Sequence, residues 1–205
     1  MLLDFNALKQ KYNMNINGVI HIGGHHGQEF KTYVENNIKN VVLFEPVPST
    51  FKILKENIGD KAILHNLALG NENKKIEMFI ETANQGQSSS ILEPNIHTKQ
   101  YPHITFDSKL EVVMVRLDDF ITNRYNYNFI NIDVQGYELE VFKGAKKTLE
   151  NIDYIMSEVN RDEVYKDCPM VEDLDEYLGG YNFKRVETTW DGGTWGDALY
   201  IKTKL

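Results

Sequence analysis

Along most of the chain, short apolar blocks alternate with amphipathic stretches. Residues 18–23, Gly-Val-Ile-His-Ile-Gly, predict a buried strand feeding a tight turn. Residues 28–36 put Phe30, Tyr33 and Val34 on one helical face, and Asn36-Asn37 stops that helix. Residues 41–44 predict a second strand. After a Pro-rich loop, Ser49 is an expected N-cap, and Phe51, Leu54 and Ile58 form the next helical stripe before Gly59. Residues 62–67 complete a β-α-β-α-β rhythm, which predicts a parallel sheet with right-handed crossovers and helices on both faces.

Residues 71–120 interrupt the rhythm. Residues 76–80 and 111–117 read as an inserted strand pair around a polar, turn-rich loop at 83–110. The alternation resumes with a strand at 127–132, a helix at 138–149, a strand at 154–159 and a helix at 171–178 ending at Gly179-Gly180. Residues 181–188 and 198–203, joined through Asp191-Gly192-Gly193, predict an antiparallel strand pair at one end of the sheet. The pattern is that of an α/β Rossmann-like fold, a mostly parallel doubly wound sheet with strands inserted between the third and fourth.

Composition narrows the possibilities. A length of 205 residues suits one domain, residues 1–205, with one core. With 22 Lys and Arg against 30 Asp and Glu, the net charge of −8 argues against nucleic acid or anionic membrane as partners. Cys168 is the only cysteine, which excludes an intrachain disulfide and suits a reducing, cytoplasmic setting. No signal-like start or apolar run of membrane-spanning length occurs in this sequence.

A doubly wound sheet binds its ligand beyond the carboxyl ends of its strands. The first such loop is Gly23-Gly24-His25-His26-Gly27, whose glycines allow close backbone approach. A dinucleotide fingerprint would need glycine at position 22, where isoleucine stands, so a different nucleoside cofactor is favoured over NAD. Glu45 ends the second strand, where a carboxylate can accept hydrogen bonds from both ribose hydroxyls. A sugar-nucleotide enzyme and a non-catalytic module that keeps only the fold are the other readings. The first lacks a P-loop Lys and Ser or Thr, and the second is opposed by Glu45 and Asp133.

The stretches VIHIGGHHGQEF, VVLFEPVPSTFKIL, HNLALGNE, SSSIL, VRLDDF and INIDVQGYELEVFKGA run in order from about residue 18 to 160. Together they resemble the FkbM-type S-adenosylmethionine-dependent methyltransferases. The resemblance implies a class I methyltransferase fold with the cofactor lying across the first three strand ends. By position it assigns Gly23, Gly24 and Gly27 to the cofactor loop and Glu45 to the ribose. Asn66 and Leu67 fall at the adenine. Ser89, within the run Ser88 to Ser90, borders the cofactor or acceptor pocket. The family usually has aspartate where His21 stands, and a neutral imidazole there can accept one bond but cannot supply the carboxylate's charge.

Methyl transfer from a sulfonium is an in-line displacement, and an alcohol acceptor must also lose a proton. Asp133, ending the fourth strand, is the first candidate for the base, with His25 and His26 as alternatives; a helix cap is the plainer role for Asp133. Glu158 and Asn160, two apart on the fifth strand, could join Asp133 in an all-oxygen site for Mg or Mn, although solvated strand ends explain them equally well. Tyr137, Trp190 and Trp195 could offer flat faces to a ring-shaped acceptor or could simply pack. The resemblance favours a small-molecule or glycan hydroxyl as acceptor. Acceptor choice then falls to residues 83–110 and the terminal hairpin.

Overall fold

The computed structural model describes residues 1–203. Its strands are β1 Gly18–Ile22, β2 Asn40–Phe44, β3 Ile63–His65, β4 Ala68–Leu69, β5 Lys74–Ile80, β6 Ser108–Val115, β7 Phe129–Ile132, β8 Tyr154–Asn160, β9 Phe183–Trp190 and β10 Trp195–Lys202. The helices are α1 Phe5–Lys11, α2 Phe30–Glu35, α3 Pro48–Ile58, α4 Ile96–Gln100, α5 Leu117–Phe120, α6 Glu138–Lys143, α7 Lys146–Leu149 and α8 Val171–Gly179.

Seven strands form one sheet in the order β3-β2-β1-β7-β8-β10-β9, parallel from β3 through β8, with β10 antiparallel to both neighbours. Period-two alternation explains how both faces are buried. Val19, Val41 and Leu43 pack with Phe5, Tyr33, Leu54 and Ile58 from α1, α2 and α3. Ile20, Ile22, Val42 and Phe44 turn the other way, toward Val141, Phe142, Leu149 and Leu174 from α6, α7 and α8. Among the described residues no helix is long and apolar enough to cross a membrane.

Several elements depart from the sequence expectation. Residues 5–11, which the apolar pattern left unassigned, form α1; the Asp4 carboxylate accepts from the Ala7 N–H, and Phe5 and Leu8 are buried. Ser49 is not a cap, because Pro48 takes the first helical turn of α3, where its missing N–H costs nothing, and Val47 precedes it. The helix expected over 138–149 is two. A side chain at Gly144 would overlap the Gly70 carbonyl, so the chain bends there, and the Asp118 carboxylate caps the second segment through the Lys147 and Thr148 N–H groups, both at 2.8 Å. The expected inserted pair is β5–β6, which is antiparallel, and β4 extends it to a separate three-stranded sheet.

The loop between β5 and β6 is fastened to the chain beyond β8. The Asn95 N–H donates to the Val164 carbonyl at 3.1 Å, and the Lys166 N–H to the Glu93 carbonyl at 2.8 Å. The insertion thereby roofs the carboxyl edge of the parallel strands.

Candidate functional site

Under that roof lies a cavity of about 580 Å³, floored by the ends of β1, β2, β7 and β8 and walled by the insertion and the β9–β10 turn. At the end of β1, Gly23 adopts φ +83°, and a side chain there would overlap the Asp133 carbonyl. Only glycine lets the first loop come this close to the end of β7. Gly24 and Gly27, expected on the cofactor, do not line the cavity. They pack against Leu43 and against Leu54 and Ile58, where a larger residue would collide with α3.

Glu45 ends β2 as expected and is buried on the lining. Its carboxylate accepts the Val47 N–H at 2.9 Å and the His25 N–H at 3.0 Å. Burial outweighs these bonds and pushes its pKa up to about 7. Two backbone donors leave lone pairs for a vicinal diol. Leu67 lines the cavity, but Asn66 does not: its amide nitrogen donates to the Glu45 and Pro46 carbonyls at 2.8 and 2.9 Å and braces the loop.

The histidines separate by geometry. His21 is buried on the lining, and burial shifts it toward the neutral form. The Asn131 amide donates to the Tyr33 hydroxyl at 2.8 Å, and that hydroxyl also meets His21 Nδ1 at 3.2 Å. Nδ1 is thus engaged inside the protein, and Nε2 is the ring nitrogen left to meet a ligand. His25 has both nitrogens engaged, Nδ1 with the Gln28 amide at 2.8 Å and Nε2 with the Gln85 carbonyl at 2.9 Å. It ties the first loop to the insertion and has no free lone pair with which to act as a base. His26 stacks on His25 at 3.8 Å between centroids, off the lining.

Asp133 reaches the cavity from the end of β7. The turn that follows is held by Glu138, whose Oε1 accepts the Val134 N–H at 2.9 Å. Gln135 stands at φ +57° with its carbonyl bonded by the Ser90 hydroxyl at 2.7 Å. Its amide nitrogen donates to Asp133 Oδ1 at 2.7 Å and to Glu158 Oε2 at 2.6 Å, while the Tyr165 hydroxyl contacts its oxygen at 2.7 Å. Burial and the adjacent Asp133 push Glu158 well above the usual carboxylate range. This arrangement does not suit the expected Mg or Mn site. An amide N–H₂ sits between the two carboxylates, Asn160 is buried off the lining, and among the described residues no three His, Cys, Asp or Glu form a metal cluster.

Of the three aromatics proposed for the acceptor, Trp195 and Tyr137 line the cavity and Trp190 does not; its ring packs under Arg161 at 4.6 Å. Tyr137 packs with the Val47 and Met78 cluster of the small sheet, whereas Trp195 belongs to the Val164–Tyr165 cluster. Ser89 lines the cavity and accepts the Glu81 N–H at 3.1 Å. Sequence reasoning missed Tyr101, His97 and Gln135, all on the lining. Tyr101 and His97 fall in the 83–110 block and Gln135 in the turn after β7, and nothing local in the sequence singles out these side chains.

The lining carries five acidic side chains, Glu29, Glu45, Asp133, Glu158 and Asp191, beside the Met1 ammonium, and among the described residues no Lys or Arg side chain. Such a lining favours a cationic ligand group and opposes a pyrophosphate. A sulfonium cofactor therefore fits on charge, on the Gly23 cradle and on the Glu45 acceptor.

Residues 21–185 match the methyltransferase FkbM domain model. The 2-O-methyltransferase NoeI of Sinorhizobium fredii is 27% identical over 198 residues, covering 91% of this chain and 80% of that protein. Among solved structures, M. capricolum TrmK in complex with S-adenosylhomocysteine superposes with TM-score 0.51 at 12% identity, over 100% of this chain and 70% of that one. The 1,6-didemethyltoxoflavin-N1-methyltransferase of Burkholderia thailandensis gives 0.51 at 11% identity, over 97% and 76%. At these identities the structural matches carry the fold alone.

Proposed function

This chain belongs to the FkbM methyltransferase family, and from that premise we propose that it is an S-adenosylmethionine-dependent O-methyltransferase acting on a sugar or glycan hydroxyl. S-adenosylmethionine supplies an electrophilic methyl group on a sulfonium. The glycan reading is supported by the similarity to a 2-O-methyltransferase and by a cavity whose charge disfavours polyanions.

Glu45 accepts from the cofactor ribose, Leu67 packs on the adenine side, and Gly23 admits the cofactor backbone-close. His21, its Nδ1 engaged by Tyr33, presents Nε2 to the cofactor's methionine end. Asp133 takes the proton of the acceptor hydroxyl, with Gln135 fixing one carboxylate oxygen and leaving the other for the substrate.

The observation that carries this reading is the placement of Asp133 and Glu45 on one acidic cavity beside Gly23. Transfer of labelled methyl to a panel of neutral oligosaccharides tests it. Asp133→Asn is expected to lower kcat by about 10²- to 10⁴-fold while S-adenosylhomocysteine affinity stays within about twofold. Near-normal turnover in Asp133→Asn would remove Asp133 as the base.

A further inference from the structure

The acceptor end of the cavity has its own architecture. The Tyr101 hydroxyl, from the insertion, donates to Asp191 Oδ2 at 3.1 Å and accepts the Trp195 indole N–H at 3.0 Å, both on the β9–β10 hairpin. Thr194 reinforces this clasp by donating to Gln100 Oε1 at 2.9 Å. The polar tips of Tyr101 and Trp195 are thus spent on each other and on Asp191, and their rings remain as apolar faces on the lining. His97, behind Tyr101 at 5.2 Å between centroids, is shifted toward the neutral form by burial.

From this arrangement, and resting on the methyl-transfer reading above, we infer that the acceptor subsite under Tyr101, Asp191 and Trp195 takes an uncharged glycoside and rejects its nucleotide-activated form. The protein then acts after the glycosyl-transfer reaction that consumes the sugar nucleotide.

The argument is electrostatic and local. A nucleotide-activated sugar carries its diphosphate on the anomeric oxygen, directly beside the ring. With the ring at Asp133, those phosphates would lie against the lip or lining of the cavity, where the acidic side chains of Glu29 and Asp191 stand. Phosphate recognition ordinarily uses Arg or Lys, and among the described residues neither type lines this cavity. Like charges brought together in this way act as a filter against the wrong ligand. A neutral ring has no such penalty and buries its C–H face on the aromatic pair.

The test uses the full chain with labelled S-adenosylmethionine and matched acceptor pairs, each sugar supplied as its methyl glycoside and as its uridine or guanosine diphosphate ester. S-adenosylhomocysteine binding is measured in parallel. Label is expected on glycosides with kcat/KM at least about tenfold above the matched nucleotide sugar. Asp191→Lys, an exposed turn substitution, is expected to narrow that ratio by lowering KM for the nucleotide sugar. Equal or better methylation of the nucleotide sugar would overturn the inference and leave the methyl-transfer reading standing. Label on neither form, with S-adenosylhomocysteine still bound, would overturn the sugar reading itself and the inference with it.

Discussion

Glu45 shows how much one buried side chain can be asked to do. Its pKa is raised to about 7 because burial penalises the charge more than two backbone N–H bonds offset. Ribose hydroxyls donate best to the ionised form, so cofactor binding expels the proton. The sign follows directly. Below about 7 a proton must be lost on binding and affinity weakens, approaching tenfold per pH unit at the limit; above it affinity levels off. The dissociation constant of S-adenosylhomocysteine is therefore expected to fall between pH 6 and pH 8 in the wild type. Glu45→Gln should weaken binding by about 10- to 100-fold at pH 8, from about 1.5 to 3 kcal/mol for bonds to a charged group, and flatten the profile. Identical pH profiles in the two proteins, measured by calorimetry, would contradict this role. Glu45, Gly23, Leu67 and Asp133 were legible in the sequence because a strand end fixes where its last residues go. Asn66, exposed beside Leu67, was not, because its amide turns to two loop carbonyls that only the folded β2–α3 turn presents.

Among the elements, the first loop and α3 explain why three similar glycines are not equivalent. Gly23 serves the close approach to β7, while Gly27, at φ +82°, faces Leu54 and Ile58, where an added Cβ would come within 2.8 Å of an Ile58 methyl. Gly27→Ala is expected to cost about 1–3 kcal/mol of stability through backbone strain and crowding. At saturating cofactor it should leave turnover nearly intact, since Gly27 is off the lining. Unchanged thermal stability would show that the loop relaxes without cost. The sequence could not separate the two glycines, because what distinguishes them is the neighbour each meets. The β-α-β rhythm and the antiparallel ending were readable from periodicity, since both faces of the sheet are buried and each face selects alternate residues. The break at Gly144 was not, because it depends on Gly70, more than seventy positions earlier in the chain.

On the scale of the whole molecule, the −8 net charge and the five acidic side chains of one cavity point the same way. The folded chain gathers these acidic side chains where a ligand would bind. The acceptor clasp of Tyr101, Asp191 and Trp195 joins segments some ninety positions apart, so no local pattern could announce it. The central claim, an acidic cavity built for a sulfonium nucleoside, is tested most directly by calorimetric titration of the purified chain with S-adenosylmethionine, S-adenosylhomocysteine and NAD. The account predicts micromolar binding of the first two, with the cationic methyl donor held at least as tightly as its neutral product, and no measurable binding of the dinucleotide with its dianionic pyrophosphate. Binding of NAD in the same range, or failure of both sulfur nucleosides to bind, would contradict it.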